Sequence, residues 1–300
     1  MNIPMEVLIP AKEYPGYNVH TPEEIAQISP VWHDDIHYLK PWQILDEDLF
    51  WSSPHTKGNF TVFVTGPSSS ILDLGWSFIQ EGEMYPGDSA LSVSQFAGRG
   101  QKGRSWISPP GNLYAVLRIV YPDRSWENLT SLLTGYLLAK SLQELGWDIR
   151  IKWPNDLLYQ GKKTGGILVE AKDSVILSGI GINLFSSPSD EELGDEPVMP
   201  ATHLYGNEPG PSPLKLWLKL LERGQEIIRQ EIIPGSVQQF LSSLEPYLAY
   251  LNEEVLVITP GFDPFRAVFT GLDSNGGLRI LTAGGEKTLM SAEILPVTDN

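Results

Sequence analysis

Two periods of apolar residues divide the chain. Residues 60–65 (FTVFVT) make a short apolar run of strand length, and the turn Pro67, Ser68, Ser69, Ser70 behind it can cap a helix through Ile71, Leu72, Leu74 and Phe78. Residues 89–94 and 112–120 (NLYAVLRIV) read as two further strands. Over 125–145 the period becomes helical, with Leu129, Leu132, Leu133, Tyr136 and Leu137 on one face and Gly146 to end it. Strands return at 149–153, 166–170 and 175–184, the last two expected to pair antiparallel across a short turn at Lys172 and Asp173.

A polar, proline-rich loop over 185–211 ends at Ser212 and Pro213, an N-cap followed by proline at the first helical position. The helix expected there carries Leu214, Trp217, Leu218, Leu221 and Ile228; its apolar stripe reads as core packing. From Glu254 onward come four strand-like runs, VLVIT, RAVFTGL, GLRIL and KTLMSAEIL, separated by turns, which suggests a small β-barrel appended to a mixed α/β domain. Before Lys57 the pattern is poor in helical period and broken by seven prolines. It reads as an acidic extended arm or small cap, not a DNA-binding winged helix. The expected divisions are therefore 1–57, 58–250 and 251–300, with no internal repeat.

Composition narrows the class. At 300 residues and 41% hydrophobic, the chain can bury one sizeable core and a smaller satellite. No run of eighteen apolar residues and no basic, apolar N-terminal signal is present, so a soluble cytoplasmic protein is expected. Cys is 0, which excludes disulfides, thiolate nucleophiles and zinc–cysteine sites. The net charge of -16 repels nucleic acid phosphates. The acidity nevertheless stops between Asp88 and Asp123, a window without Asp or Glu that holds Arg99, Lys102, Arg104 and Arg118. Randomly placed acids would leave so long a gap with a probability on the order of one per cent. A positive island in a negative chain points to an anionic ligand.

The island centres on Gly98, Arg99, Gly100, Gln101, Lys102, Gly103, Arg104 and Ser105, which nearly fits a phosphate-binding P-loop. Such a loop must open a helix, and Pro109 and Pro110 forbid one here. What survives is a glycine loop whose backbone can approach an anion, with three cations to neutralise it. Three further segments carry candidate chemistry: 152–156 (KWPND), with Lys152 closing a strand; 162–166 (KKTGG), a glycine turn bearing cations; and 179–183 (GIGIN). Two side candidates are weaker. His33 and His37 flank Asp34 and Asp35 and could ligate a metal if helical, while Ser68 to Ser70 lack a His or acid at recognisable spacing for a nucleophile.

Together the four segments resemble the biotin–protein ligase family. GRGxxGRxWxSPxGNLY is matched over 98–114, KWPND over 152–156, GILVE over 166–170 and GIGIN over 179–183, in that order, and the likeness runs from about Phe60 to Val297. The resemblance implies an α+β fold, a mixed-sheet catalytic domain with a C-terminal SH3-like barrel. It implies a ligase that joins biotin to ATP with Mg²⁺ as biotinyl-5'-AMP, then passes biotin to a lysine of a biotin carboxyl carrier protein. By family position, Lys152, Arg99 and Arg104 are the catalytic cations. Ser68, Ser69, Ser70, Gln95, Arg99, Gly100, Gln101, Lys152, Gly165 and Gly166 would bind biotin, and Gly98, Arg99, Gly103, Arg104, Lys163 and Asn183 would bind ATP, with Trp106 stacking on adenine. No fixed protein metal site is implied, and a homodimer is compatible with the family.

Two positions depart from the family pattern. Ser70 stands where the family usually has Asn, and Gln101 where it usually has an Arg that clamps the loop over the adenylate. Weaker retention of the intermediate is therefore expected. Two alternative readings remain: a lipoate or octanoate ligase, and a catalytically weak biotin-binding homologue.

Overall fold

The computed structural model describes residues 5–45, 49–193, 199–206 and 210–297. Its first strands are β1 (Glu6–Pro10), β2 (Gln43–Leu45), β3 (Phe50–Ser52), β4 (Thr61–Thr65), β5 (Ser89–Ser92) and β6 (Leu113–Arg118). Next come β7 (Ile149–Lys152), β8 (Asp156–Tyr159), β9 (Lys162–Lys172) and β10 (Val175–Ile182). The last are β11 (Glu254–Ile258), β12 (Phe265–Leu272), β13 (Leu278–Thr282), β14 (Gly285–Leu289) and β15 (Glu293–Pro296). The helices are α1 (Pro22–Ile28), α2 (Pro30–Tyr38), α3 (Ile71–Gln80), α4 (Thr130–Glu144), α5 (Asp190–Leu193), α6 (Pro213–Ile227) and α7 (Val237–Leu244). The chain divides into two compact units, residues 1–120, 164–195 and 201–223 in one and 121–163, 196–200 and 224–300 in the other.

The first unit is built on a mixed sheet in the order β2-β3-β1-β4-β5-β6-β10-β9. β4 runs parallel to both β1 and β5, whereas β6, β10 and β9 form an antiparallel run. The apolar face of α3 (Leu72, Leu74, Phe78) packs with Phe63, Ala90, Val116 and Leu177 of the strands, burying the core next to the loops that follow β4 and β5. The β9–β10 hairpin turns at Asp173 and Ser174, with φ of 47° and 64°, the paired positive values of a type I′ turn. That is one residue later than the sequence pattern suggests.

The stretch before residue 58, expected to be extended and poor in helix, differs in structure. β1 lies inside the sheet, its Val7 and Ile9 fully buried, and β3 pairs with it. The prolines do not prevent helices here because Pro22 and Pro30 occupy the first turns of α1 and α2, where the missing N–H has no partner to lose.

In the second unit α4 packs on β7, which pairs antiparallel with β8. Residues 125–129, expected as the start of that helix, belong to a 3₁₀ segment, Arg124–Leu129. The glycine turn expected at 162–166 is corrected: the turn is Gln160 and Gly161, both with positive φ, and Lys162 already begins β9. The C-terminal residues form a small antiparallel sheet in the order β14-β13-β12-β11-β15, consistent with an SH3-like domain. Five strands replace the four expected, because the last apolar run breaks into β14 and β15.

Candidate active site

The Ser68 to Ser70 turn is held by its backbone. Ser68 N–H donates to Ser94 O (3.1 Å), and the Ser68 and Ser69 carbonyls accept from Phe96 N–H (3.0 Å) and Ala97 N–H (2.9 Å). Ser69 N–H donates to Gly16 O at 2.7 Å. With those four main-chain groups paired, recognition at Ser68 and Ser69 falls to the side chains. Ser68 is fully buried and its hydroxyl is bonded to Ser92 Oγ (3.0 Å); Ser70 is also buried, which leaves Ser69 the most accessible of the three. Ser70 stands at the N-cap of α3 but makes no side-chain cap bond. Gln95 takes that role: its Oε1 accepts from Ile71 N–H (2.8 Å), and its Nε2 donates to Ser108 Oγ (2.9 Å).

The glycine loop is a tight hairpin rather than an open cradle. Gly100 N–H donates to Arg104 O (2.8 Å) and Trp106 N–H to Gly98 O (2.8 Å), with Gln101, Lys102, Gly103 and Arg104 exposed at the tip. Arg99 leaves the loop sideways, one guanidinium nitrogen 2.7 Å from Asp73 Oδ1 of α3 and another 2.7 Å from Glu170 Oε1 of β9. Glu170 Oε2 in turn accepts from Trp76 Nε1 at 2.8 Å. Asp73, Trp76 and the role of Glu170 were missed in the sequence, although Glu170 ends the matched GILVE segment. They lie outside the acid-free window, so the island that looks positive along the chain is partly neutralised in space.

Gly181 explains part of GIGIN. A Cβ there would lie 2.6 Å from the Trp106 indole, so only glycine lets the ring lie against β10. Gly165 and Gly166 sit opposite Ile182 and Gly181 across the β9–β10 ladder. Asn183 is buried and holds a neighbouring segment, its Nδ2 donating to Thr202 O (3.1 Å) while its carbonyl accepts from Leu204 N–H (3.0 Å). Asn112 has a structural task too. Its Oδ1 accepts from Leu184 N–H (2.9 Å) and Phe185 N–H (3.0 Å), fixing the chain that leaves β10.

In the second unit Lys152 and Lys163 share one carboxylate. Lys152 Nζ is 2.7 Å from Asp156 Oδ2 and Lys163 Nζ 2.6 Å from Asp156 Oδ1. Lys152 is 3% exposed, so its amino group is held out of water against the Asp156 carboxylate. Burial alone would raise the Asp156 carboxyl, but the two ammonium groups outweigh it and hold it below the usual carboxylate range. Two cations on one anion leave a net positive group suited to phosphate or carboxylate oxygens. Trp153 anchors the segment, its Nε1 donating to Gly276 O at 2.8 Å.

The weaker candidates resolve differently. His33 and His37 are on a helix, α2, with their rings stacked 4.0 Å apart, but Asp35 turns inward to Ser212 Oγ (2.6 Å) and Lys215. Among the described residues no group of three metal-ligating side chains comes together, and no helix is long and apolar enough to cross a membrane.

Comparison with known proteins matches residues 65–185 to the biotin/lipoate A/B protein ligase family and residues 250–295 to the biotin protein ligase C-terminal domain. The chain is 31% identical over 222 residues to the bifunctional ligase/repressor BirA of Escherichia coli K12, covering 71% of this chain and 67% of that protein. It is 27% identical over 216 residues to the biotin–[acetyl-CoA-carboxylase] ligase of Paracoccus denitrificans, covering 68% and 88%. Among solved structures it is similar to the biotin protein ligase of Aquifex aeolicus in complex with biotin and ATP, at 28% identity and a TM-score of 0.63 over 79% of this chain and 97% of the other.

Proposed function

Since the chain belongs to the biotin/lipoate A/B protein ligase family, we infer that it is an ATP-dependent biotin–protein ligase. It forms biotinyl-5'-AMP from biotin and ATP and transfers biotin to a lysine of a biotin carboxyl carrier protein. One observation carries the choice of biotin: a ligase-family match is followed on the same chain by a biotin protein ligase C-terminal domain. The ligase chemistry is assigned to residues 58–250, with 251–300 as the appended domain.

When biotin carboxylate attacks the α-phosphorus, negative charge builds on phosphoryl and carboxylate oxygens, and a cation already in place stabilises it without reorganisation. Lys152, buried and held by Asp156, suits that task, and Lys163 suits the nucleotide phosphates. Ser69 is placed as a biotin hydrogen-bond partner, with Ser68, Ser70, Gln95, Gly165 and Gly166 shaping the pocket around it. Trp106 is assigned to adenine, Arg104 and Gly103 to phosphate, and Asn183 to the nucleotide's surroundings. Arg99 reaches an anion only by leaving Asp73 and Glu170, so its first task is to fix the loop of Gly98, Gly100 and Gln101. Mg²⁺ is read as the counter-ion that arrives on ATP. The carboxylates beside these residues, Asp73, Glu170 and Asp156, are already paired with cations.

The protein is placed in the cytoplasm, where ATP and carboxylase carrier domains meet. Biotin-dependent ATP–pyrophosphate exchange tests the reading. Exchange with biotin and none with lipoate or octanoate is expected; exchange with lipoate alone, or with no acid, rejects it.

A further inference from the structure

The segment 14–20 lies before residue 65, where the family match begins, yet it reaches Ser69, the residue assigned above to biotin. Tyr14 and Tyr17 exchange backbone hydrogen bonds, Tyr14 N–H to Tyr17 O (3.2 Å) and Tyr17 N–H to Tyr14 O (2.9 Å), closing a turn over Pro15 and Gly16. Proline followed by glycine with φ of +76° is the combination of a type II turn. The buried rings of Tyr14 and Tyr17 anchor it to the core that also holds Phe63, Ile71 and Phe78. Tyr17 bridges Ser68, and the exposed turn directs the Gly16 carbonyl at Ser69 N–H.

Two consequences converge on Ser69. Its main chain is fixed from outside the family-matched region by the 2.7 Å bond to Gly16. A Cβ on residue 16 would overlap Ser69 Oγ and come within 2.8 Å of Ser69 Cβ, so any side chain there would push Ser69 aside, its hydroxyl included. We propose that Gly16 is a positioning residue for biotin recognition: its carbonyl sets the Ser69 backbone, and its missing side chain leaves the Ser69 hydroxyl free to meet the ligand's polar head group. The N-terminal segment is then one wall of the small-acid pocket rather than an appendage. The assignment rests on the biotin-ligase function above.

The test is the exchange assay on Gly16→Ala, with KM for biotin and for ATP measured separately. Loss of one ligand hydrogen bond predicts a KM for biotin raised roughly tenfold, with KM for ATP changed less than about twofold. Gly82→Ala is the control: it has φ of +75° and nothing within 4 Å, so it carries the backbone penalty of alanine without an overlap. A Gly16→Ala enzyme whose KM for biotin matches that of wild type or of Gly82→Ala overturns the assignment. In a Ser69→Gly background, Gly16→Ala should raise KM for biotin no further; an undiminished effect also overturns it. If Gly16→Ala does not fold, adding Ser69→Gly should restore folding, and a pair that stays unfolded removes Ser69 as the point of action. A wild-type enzyme without biotin-dependent exchange rejects the parent function; one that exchanges normally while Gly16→Ala behaves as Gly82→Ala rejects this inference alone.

Discussion

Asp156 sets the charge of the second candidate site. Its folded-state carboxyl is held below the ordinary value because Lys163 and Lys152 outweigh the cost of burial. A carboxyl with a depressed folded pKa contributes stability that is complete above the unfolded value, about 4, and is lost as pH falls through the folded one. Asp156→Asn removes that contribution and strands the buried Lys152 ammonium, so a loss of about 3–5 kcal/mol at pH 7 is expected. Urea unfolding at a series of pH values should show a constant difference from wild type above about pH 4 and a shrinking one below. Gln101 lies exposed at the hairpin tip, where an Arg clamp is expected from the family pattern. Gln101→Arg should lengthen the half-life of enzyme-bound adenylate, measured by release into a chase; an unchanged half-life counts against the role given to this position.

At the scale of elements, the strands position the site by close approach. β10 comes near Trp106 because residue 181 has no side chain. Gly181→Ala forces the indole or the strand to move, at an expected cost of about 1–3 kcal/mol, the usual range for overpacking. With Trp106 assigned to adenine, KM for ATP should rise several-fold while KM for biotin holds, a split that exchange kinetics would read. The start of α3 is legible in the serines as a turn, yet its cap is not: Ile71 N–H is taken by Gln95, 24 residues away. A capping side chain supplied by another element leaves no local signature, so the pattern indicates that the helix begins without indicating what holds it. The prolines before residue 58 mislead for the opposite reason. Proline breaks a helix interior but suits its first turn, and α1 and α2 begin on Pro22 and Pro30.

At the scale of the whole molecule, the net charge of -16 argues against nucleic acid as a partner. Helix α2, the longer of the two N-terminal helices, carries Asp34 and Asp35 and no Lys or Arg. Duplex DNA at physiological salt should therefore show no retarded band with micromolar protein, and a retarded band would overturn that expectation. What the chain determined by itself is the chemistry that depends on neighbours in sequence: the basic glycine loop over 98–106, Lys152 at the end of its strand, the type and order of most elements, and the ligase family. Only the tertiary structure decided which groups meet across distance. Asp73 and Glu170 reach Arg99 over separations of 26 and 71 residues, and Gly16 reaches Ser69. Local periodicity encodes the faces of strands and helices, whereas such meetings follow from strand order and register. Those are set when the whole apolar core is buried at once, and no short stretch of sequence records them.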